Sequence, residues 1–364
     1  MSLRSVGSLL SRQPAELDPD MTEFEKQFEK KKRLIDGSRI KKMENLRRPR
    51  RYRYGTIRDI GFTTIDGYSY SVIVGEPKNP TSAVPLIETT AWFMGLEGYY
   101  RHEALSYMRE GNFVVIVGAE GSHRSCGDRG GRLGGITLEK SASAVLNFCG
   151  EVVGIHDELD QDAYLLKGAS RGAMVGMGIQ ALAQDYDKSV LYADLTAPCF
   201  PRPFNPFTDT LGLIRFLIEE PQTLVSLGYE MPLSLARRYH ASIDLHPASL
   251  AHQLAITSPL FSGEAGELAR SINRSVDPQM HITTFGRDVL SMHDDWVDIF
   301  EGYPGVRLTP LDGSHLALAD KQTDAFQHAR NLAVQNQIRA GKPIDAHAVS
   351  AFAHEHVEVR RKLA

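Results

Sequence analysis

Residues 164–178 read YLLKGASRGAMVGMG. A short apolar run enters the turn Gly168-Ala169-Ser170-Arg171-Gly172, and small and apolar residues at helical spacing leave it. That context, strand before and helix after, is what gives G-x-S-x-G a physical meaning. A serine at the apex of so sharp a turn takes up a strained backbone, and its neighbours must be small so that strand and helix can approach. The hydroxyl then projects above the sheet, with a helix N-terminus behind it to stabilise developing negative charge. Gly176 and Gly178 extend the small face of the helix, as close packing on a sheet requires. An ordinary strand-to-helix connection matches the same pattern, so residues elsewhere in the chain have to decide.

Working outward, the chain alternates. TIRDIGFTTIDGYSYSVIVGEPKN (56–79) reads as two β-runs about the turn signal Asp66–Gly67, an antiparallel hairpin. AVPLIETTAWF (83–93) and NFVVIVGAEGS (112–122) are apolar runs that end in loop residues, with a helical stretch near 103–110 between them. A helix pattern at 137–154, the strand at 163–168, the helix after Ser170 and the strand KSVLYADLTA (188–197) follow. This β-α-β alternation predicts a mostly parallel sheet with helices on both faces. From Pro198 to Val276 it stops, and the chain is proline-punctuated and helical, as expected of a cap over the C-terminal strand ends. It resumes with the strand QMHITTFGRD (279–288), the helix 291–303, the strand GVRLTPLDGSH (305–315) and a final helix from Leu318 to Arg339. The expected organisation is therefore a charged arm over 1–54, a core of 55–197 and 277–340, a helical cap of 198–276 and a helical tail of 341–364.

Composition bounds what this scaffold does. With 42% hydrophobic and 24% charged residues the chain can build an ordinary globular core. A net charge of −4 gives no global pull toward nucleic acid or an anionic membrane, so neither is an expected partner. No apolar run approaches the roughly 20 residues that span a bilayer. The broken apolar stretch at the start does not read as a secretory signal. Cys126, Cys149 and Cys199 are odd in number and far apart, which argues against a disulfide framework or a metal site and for the cytoplasm. Residues 21–54 are dense in Lys and Arg, with a thin apolar stripe through Phe24, Phe28 and Leu34. They read either as a solvated surface helix or as an arm that docks on a second copy, another protein, an acidic surface or nucleic acid.

A serine hydroxyl needs a base, and the base an orienting acid. On this topology the expected chain order is Ser, Asp, His. Asp288 follows a predicted strand and a glycine, and His315 follows the next strand in the sequence Asp-Gly-Ser-His. Asp194, at the end of LYAD, is the rival acid; Asp294, Asp295 and Asp298 fall in a helix and read as its N-terminal and solvated charges. An oxyanion hole needs the N–H of Arg171 and a second one from the loop ETTAWF, hence Ala91 or Trp92. Trp92 also suits a pocket wall. The Gly-rich stretch 118–135 lacks the lysine of a phosphate loop and reads as a loop beside the site mouth; His123 and Cys126 within it have no further ligands at metal spacing.

Taken together, Ser170 in GASRG, Asp288 in FGRD and His315 in DGSH, in that order, resemble the α/β-hydrolase superfamily over residues 56–339. The resemblance implies an eight-stranded, mostly parallel sheet with the cap inserted after the sixth strand. It further implies cofactor-free acyl transfer to water through a serine ester: Ser170 as nucleophile, His315 as general base and then acid, Asp288 as orienter, and Arg171 and Trp92 as oxyanion donors. A small-molecule acyl substrate under the cap, of the carboxylic ester class, is the expected partner. One departure stands out: where many members carry His-Gly at the oxyanion loop, this chain has Thr90–Ala91.

Overall fold

Asp66–Gly67 turns the chain back on itself, with Gly67 at a φ of 88° that a side chain rarely adopts. β3 (Gly55–Thr64) and β4 (Ser69–Pro77) consequently pair antiparallel along their length, Gly55 opposite Pro77 and Thr63 opposite Ser69. The computed structural model describes residues 23–91, 96–119, 135–203, 205, 262–286, 288, 290–312 and 321–363. Within them one ten-stranded sheet runs β1-β3-β4-β6-β5-β7-β8-β9-β10, with β2 also paired to β3. The remaining strands are β1 (Ile40–Asn45), β2 (Arg50–Tyr52), β5 (Leu86–Thr89), β6 (Val114–Val117), β7 (Ala163–Ala169), β8 (Ser189–Thr196), β9 (Met280–Phe285) and β10 (Val306–Leu311). From β5 onward every neighbouring pair is parallel, while β4 runs antiparallel to β6. Counted from β3, the strands lie in the order first, second, fourth, third, then fifth to eighth.

The expected mostly parallel sheet is therefore present, and two strands extend it. Both come from the stretch expected to be an arm: β1 and β2 pair antiparallel with β3. The helix before them, α1 (Glu23–Ser38), buries Leu34 in the main core. Lys41, Lys42, Arg48, Arg50 and Arg51 are exposed, which an edge strand tolerates and which discourages pairing with another chain.

Helices cover both faces, as right-handed crossovers between parallel strands require. On one face α3 (Leu138–Val153), α4 (Arg171–Leu182), α5 (Glu264–Ser271) and α6 (His293–Phe300) join α1 over the larger apolar core, which includes Phe62, Val115, Leu166, Leu195, Ile282 and Trp296. On the other, α2 (Arg101–Arg109), α7 (Lys321–Arg339) and α8 (Ala346–Leu363) bury Ile73, Ile116, Leu165 and Tyr192. The tail helix α8 thus has a structural part, burying Ala346, Val349 and Ala353. Of the stretch expected to be the cap, residues 204 and 206–261 lie outside the described residues. Its last part, α5, is in the core, with Leu268 close to Gly178 of α4. No helix among the described residues is long and apolar enough to cross a membrane.

Candidate active site

Ser170 sits at φ 53°, ψ −121°, between the last residue of β7 and the first of α4. A non-glycine residue there costs on the order of 1–3 kcal/mol, and such strain persists only where the surroundings impose it. Here they do. The Ser170 amide donates to the Thr196 carbonyl of β8 at 2.8 Å, and its own carbonyl accepts from Met174 at 3.2 Å. The flanking glycines are demanded by backbone atoms: a Cβ on Gly168 would stand 2.6 Å from the Gly172 carbonyl oxygen, and one on Gly172 2.0 Å from that of Thr89. The Thr89 hydroxyl donates to the Gly172 carbonyl at 2.7 Å, tying the end of β5 to the turn.

Asp288 lies three residues beyond β9 and is buried, 4% exposed. Its Oδ1 accepts from the amides of Leu290 (2.9 Å) and Ser291 (3.2 Å), a local turn that orients the carboxylate. β7, β8 and β9 are adjacent and parallel, so Ser170 and Asp288 lie at the same edge of the sheet with one strand between them. Leu311, the last residue of β10, accepts from the Gly286 amide at 2.8 Å, bringing that strand end to the same edge. His315 follows Leu311 by four positions and lies outside the described residues. So do Trp92 and all of 120–134, which holds His123 and Cys126.

Asp194 has a different environment. It is buried on the face covered by α7, where Arg330 donates to both of its oxygens, at 2.8 and 2.9 Å. Burial opposes the Arg330 charge, and Asp194 more than restores it. Asp295 is taken up at the surface by Arg202, 3.3 Å away. Arg171 buries its guanidinium beside α3, donating to Ser141 Oγ at 3.3 Å. Its backbone N–H lies at the first turn of α4. The Ala91 amide is already committed, donating to the Tyr100 hydroxyl at 2.7 Å.

Two features escaped the sequence reading. Cys199 brings its Sγ within 3.6 Å of Ser170 Oγ, on a segment where Ala197 and Phe200 both have positive φ (48° and 43°); a lone cysteine after Ala-Pro carries no signal of this. The other is a row of ionisable side chains across the sheet: Glu88, Lys167, Asp194 and His281 are register partners on β5, β7, β8 and β9. Lys167 Nζ reaches Glu103 (2.6 Å), Tyr107 Oη (2.7 Å) and Glu88 (3.3 Å). Burial pushes the Glu88 carboxyl well above the usual range, and the Glu103 charge adds to that. Among the described residues no cluster of His, Cys, Asp and Glu is arranged to hold a metal ion.

The strand order and the strained serine between β7 and α4 together define an α/β-hydrolase fold. No protein-family model matches the chain, and no curated protein does. Among solved structures it is similar to the enol-lactonase from Burkholderia xenovorans LB400, at 15% identity and TM-score 0.47, covering 72% of this chain and 95% of that one. The acetyl xylan esterase 1 from Thermoanaerobacterium sp. JW/SL YS485 gives 15% identity and TM-score 0.47, over 86% and 93% of the two chains. The α/β hydrolase GrgF from Penicillium sp. sh18 gives 18% identity and TM-score 0.49, over 78% and 98%. These likenesses are of overall fold, and the chemistry rests on the residues of this chain.

Proposed function

We propose that the chain is a serine hydrolase that cleaves a carboxylic ester through an acyl-enzyme intermediate. The observation that carries the reading is the backbone of Ser170: a serine in a strained conformation, between two glycines that only glycine can fill, at the C-terminal edge of a parallel sheet. In the proposed reaction Ser170 Oγ attacks the acyl carbonyl while His315 takes its proton. The tetrahedral oxyanion is received by the N–H groups of Arg171 and Trp92, and His315 returns the proton to the departing alcohol. Water then repeats the sequence on the serine ester and releases the acid. Asp288, oriented by its local turn, holds the imidazole tautomer that lets the other ring nitrogen act as base. We assign this role to Asp288 and not to Asp194, because the Asp194 carboxylate already receives both of its hydrogen bonds from Arg330.

Intact-mass labelling with a fluorophosphonate tests the reading. Wild-type protein is expected to gain one phosphonyl group at Ser170, and Ser170→Ala and His315→Ala to gain none. Asp288→Asn is expected to slow labelling by roughly 10²–10⁴-fold; Asp194→Asn, if folded, leaves the rate near that of the parent. A folded wild-type protein that does not label ends the proposal. The alternative, a non-catalytic protein that docks on a partner through its N-terminal segment, has the exposed basic edge strands to support it. Because β1 and β2 are part of the sheet, this is tested by neutralising Arg48, Arg50, Arg51 and Arg53, not by deleting the segment.

A further inference from the structure

The outermost strands of the sheet carry charge out of proportion to the chain. Between Arg39 and Arg58 stand nine cationic side chains against one acid, Glu44, a net charge of +8 in twenty residues. The whole chain is at −4, so everything outside this stretch carries −12. A global balance hides such an asymmetry, and read alone it pointed away from anionic partners. β1 and β2 lie one after the other against β3 and form a single interrupted edge along its ten residues, about 33 Å long. The acids around this edge are already neutralised: Glu44 by Lys42 at 2.9 Å, Asp36 by Arg39 at 3.8 Å and Glu76 by Arg58 at 2.6 Å. Lys41, Arg48, Arg50, Arg51 and Arg53 are exposed and make no ion pair among the described residues. Apolar groups accompany them. Seven large apolar side chains among the described residues are exposed, and three of the seven, Met43, Tyr54 and Ile65, belong to this edge. Met43 is in β1; Tyr54 follows β2, with the Arg53 guanidinium 5.7 Å from its ring centroid; Ile65, at the far end, donates its amide to the Arg39 carbonyl at 2.9 Å.

We infer that this edge is a docking surface for an anionic lipid bilayer. Nothing in that assignment depends on the chemistry of Ser170. Among anionic partners, three observations select a bilayer. The charges stand on a projecting sheet edge, whereas a single nucleic-acid strand is held in a groove that tracks its backbone and offers a series of stacking aromatics; here the only aromatics between Arg39 and Arg58 are Tyr52 and Tyr54. Cations interleaved with exposed apolar side chains supply the two attractions of a peripheral membrane surface, the first to anionic headgroups and the second to the boundary between headgroups and acyl chains. The −12 carried by the rest of the chain is repelled by the same surface, so the molecule is steered to approach edge-first and to bind in one orientation. A protein strand added beside β1 and β2 is disfavoured by the same lysines and arginines and by Pro49 between the two strands.

Vesicle flotation of the full chain is the test. The probes are phosphatidylcholine vesicles with and without about 30% phosphatidylserine, at about 0.1 M and about 0.5 M NaCl, beside a single-stranded oligonucleotide as the competing polyanion. The wild type is expected to float with the phosphatidylserine vesicles at the lower salt and not with phosphatidylcholine alone, and its partition to fall by about tenfold or more at the higher salt. Replacing Arg48, Arg50, Arg51 and Arg53 together by Gln is expected to lower that partition by about 100-fold or more, at roughly fivefold per cation. Met43→Ser with Ile65→Ser is expected to lower it by about 10-fold and to leave the salt dependence in place. Thermal unfolding checks that each variant is folded; the lipid and salt comparisons on the wild type decide the matter if the four-residue variant is not. No flotation with phosphatidylserine, equal flotation with phosphatidylcholine alone, or an unchanged partition of the folded four-residue variant overturns the inference. Oligonucleotide binding without vesicle binding overturns it too and gives the edge to nucleic acid. Binding is read without turnover, so a failure here leaves the hydrolase reading standing, and the absence of labelling at Ser170 leaves this one.

Discussion

Gly172→Ala tests whether the close approach of β5 to the serine turn is what places the nucleophile. The new Cβ would stand 2.0 Å from the Thr89 carbonyl oxygen and 2.8 Å from that of Thr90. Both are backbone atoms, at the end of β5 and one residue past it, so neither moves as a flexible side chain would. Ordinary contact begins at 3.4 Å, so strand end and turn have to separate by about 1.4 Å (3.4 less 2.0) or distort by an equivalent amount. That movement stretches the Thr89 hydroxyl bond to the Gly172 carbonyl and shifts Ser170 relative to the end of β5. Overpacking of this kind costs about 1–3 kcal/mol, whereas misplacing reacting groups by ~1 Å costs about 10²-fold in rate. The control is Gly178→Ala, further along α4, where the added Cβ meets the Ala142 side chain of α3 at 2.8 Å and no part of the site. Urea unfolding and fluorophosphonate labelling time courses are measured on both variants. The expectation is a similar loss of stability in the two, with labelling about 100-fold slower only in Gly172→Ala. Equal labelling rates in both variants would refute the reasoning.

Two further predictions concern the polar layer beneath the site. Arg330→Met leaves the buried Asp194 carboxylate without its bidentate partner and is expected to cost roughly 3–5 kcal/mol in urea unfolding, with the double variant Arg330→Met/Asp194→Leu recovering most of it; a single variant as stable as the parent would show that the pair is dispensable. His281 is 1% exposed, and among the described residues neither of its ring nitrogens has a hydrogen-bond partner. Burial pushes its pKa well below 6.5, with the charges of Arg330, His354 and Arg307 adding to the effect and Asp194 beside it in register. The unfolded chain therefore binds a proton below pH 6.5 that the folded chain does not, so stability present above that pH is lost as the pH falls, by up to about 1.4 kcal/mol per unit from this residue. His281→Leu should flatten that limb between pH 6.5 and 5, and an unchanged slope in urea titrations would show that His281 is not its source.

What the sequence disclosed, and what it kept hidden, follows from the range over which each constraint acts. Ser170 was legible because the turn is local: the glycines that permit its backbone stand two residues away on either side. The hairpin was legible for the same reason, through Asp66–Gly67. β1 and β2 were not, because IKKMEN and RRY carry the charges of a solvated surface; a strand at a sheet edge is free to carry them, and nothing in its own composition says that β3 will pair with it. The row Glu88, Lys167, Asp194 and His281 was hidden more deeply. Each residue is a single charged or polar position in a run that otherwise reads as a buried parallel strand, and the partners that neutralise them lie far off in the chain: Lys167 meets Glu103 across 64 positions, and Asp194 meets Arg330 across 136. Asp194 therefore looked like a free acid at a strand end and a rival to Asp288. Only the lateral register of the sheet, which sets it beside Lys167 and His281, and the helix above, which brings Arg330 to it, make it part of the frame on which the site is built. A buried charge in a parallel strand of this fold is thus read correctly only after asking which helix supplies its counter-charge; for Asp194 and Lys167 a helix does, through Arg330 and Glu103.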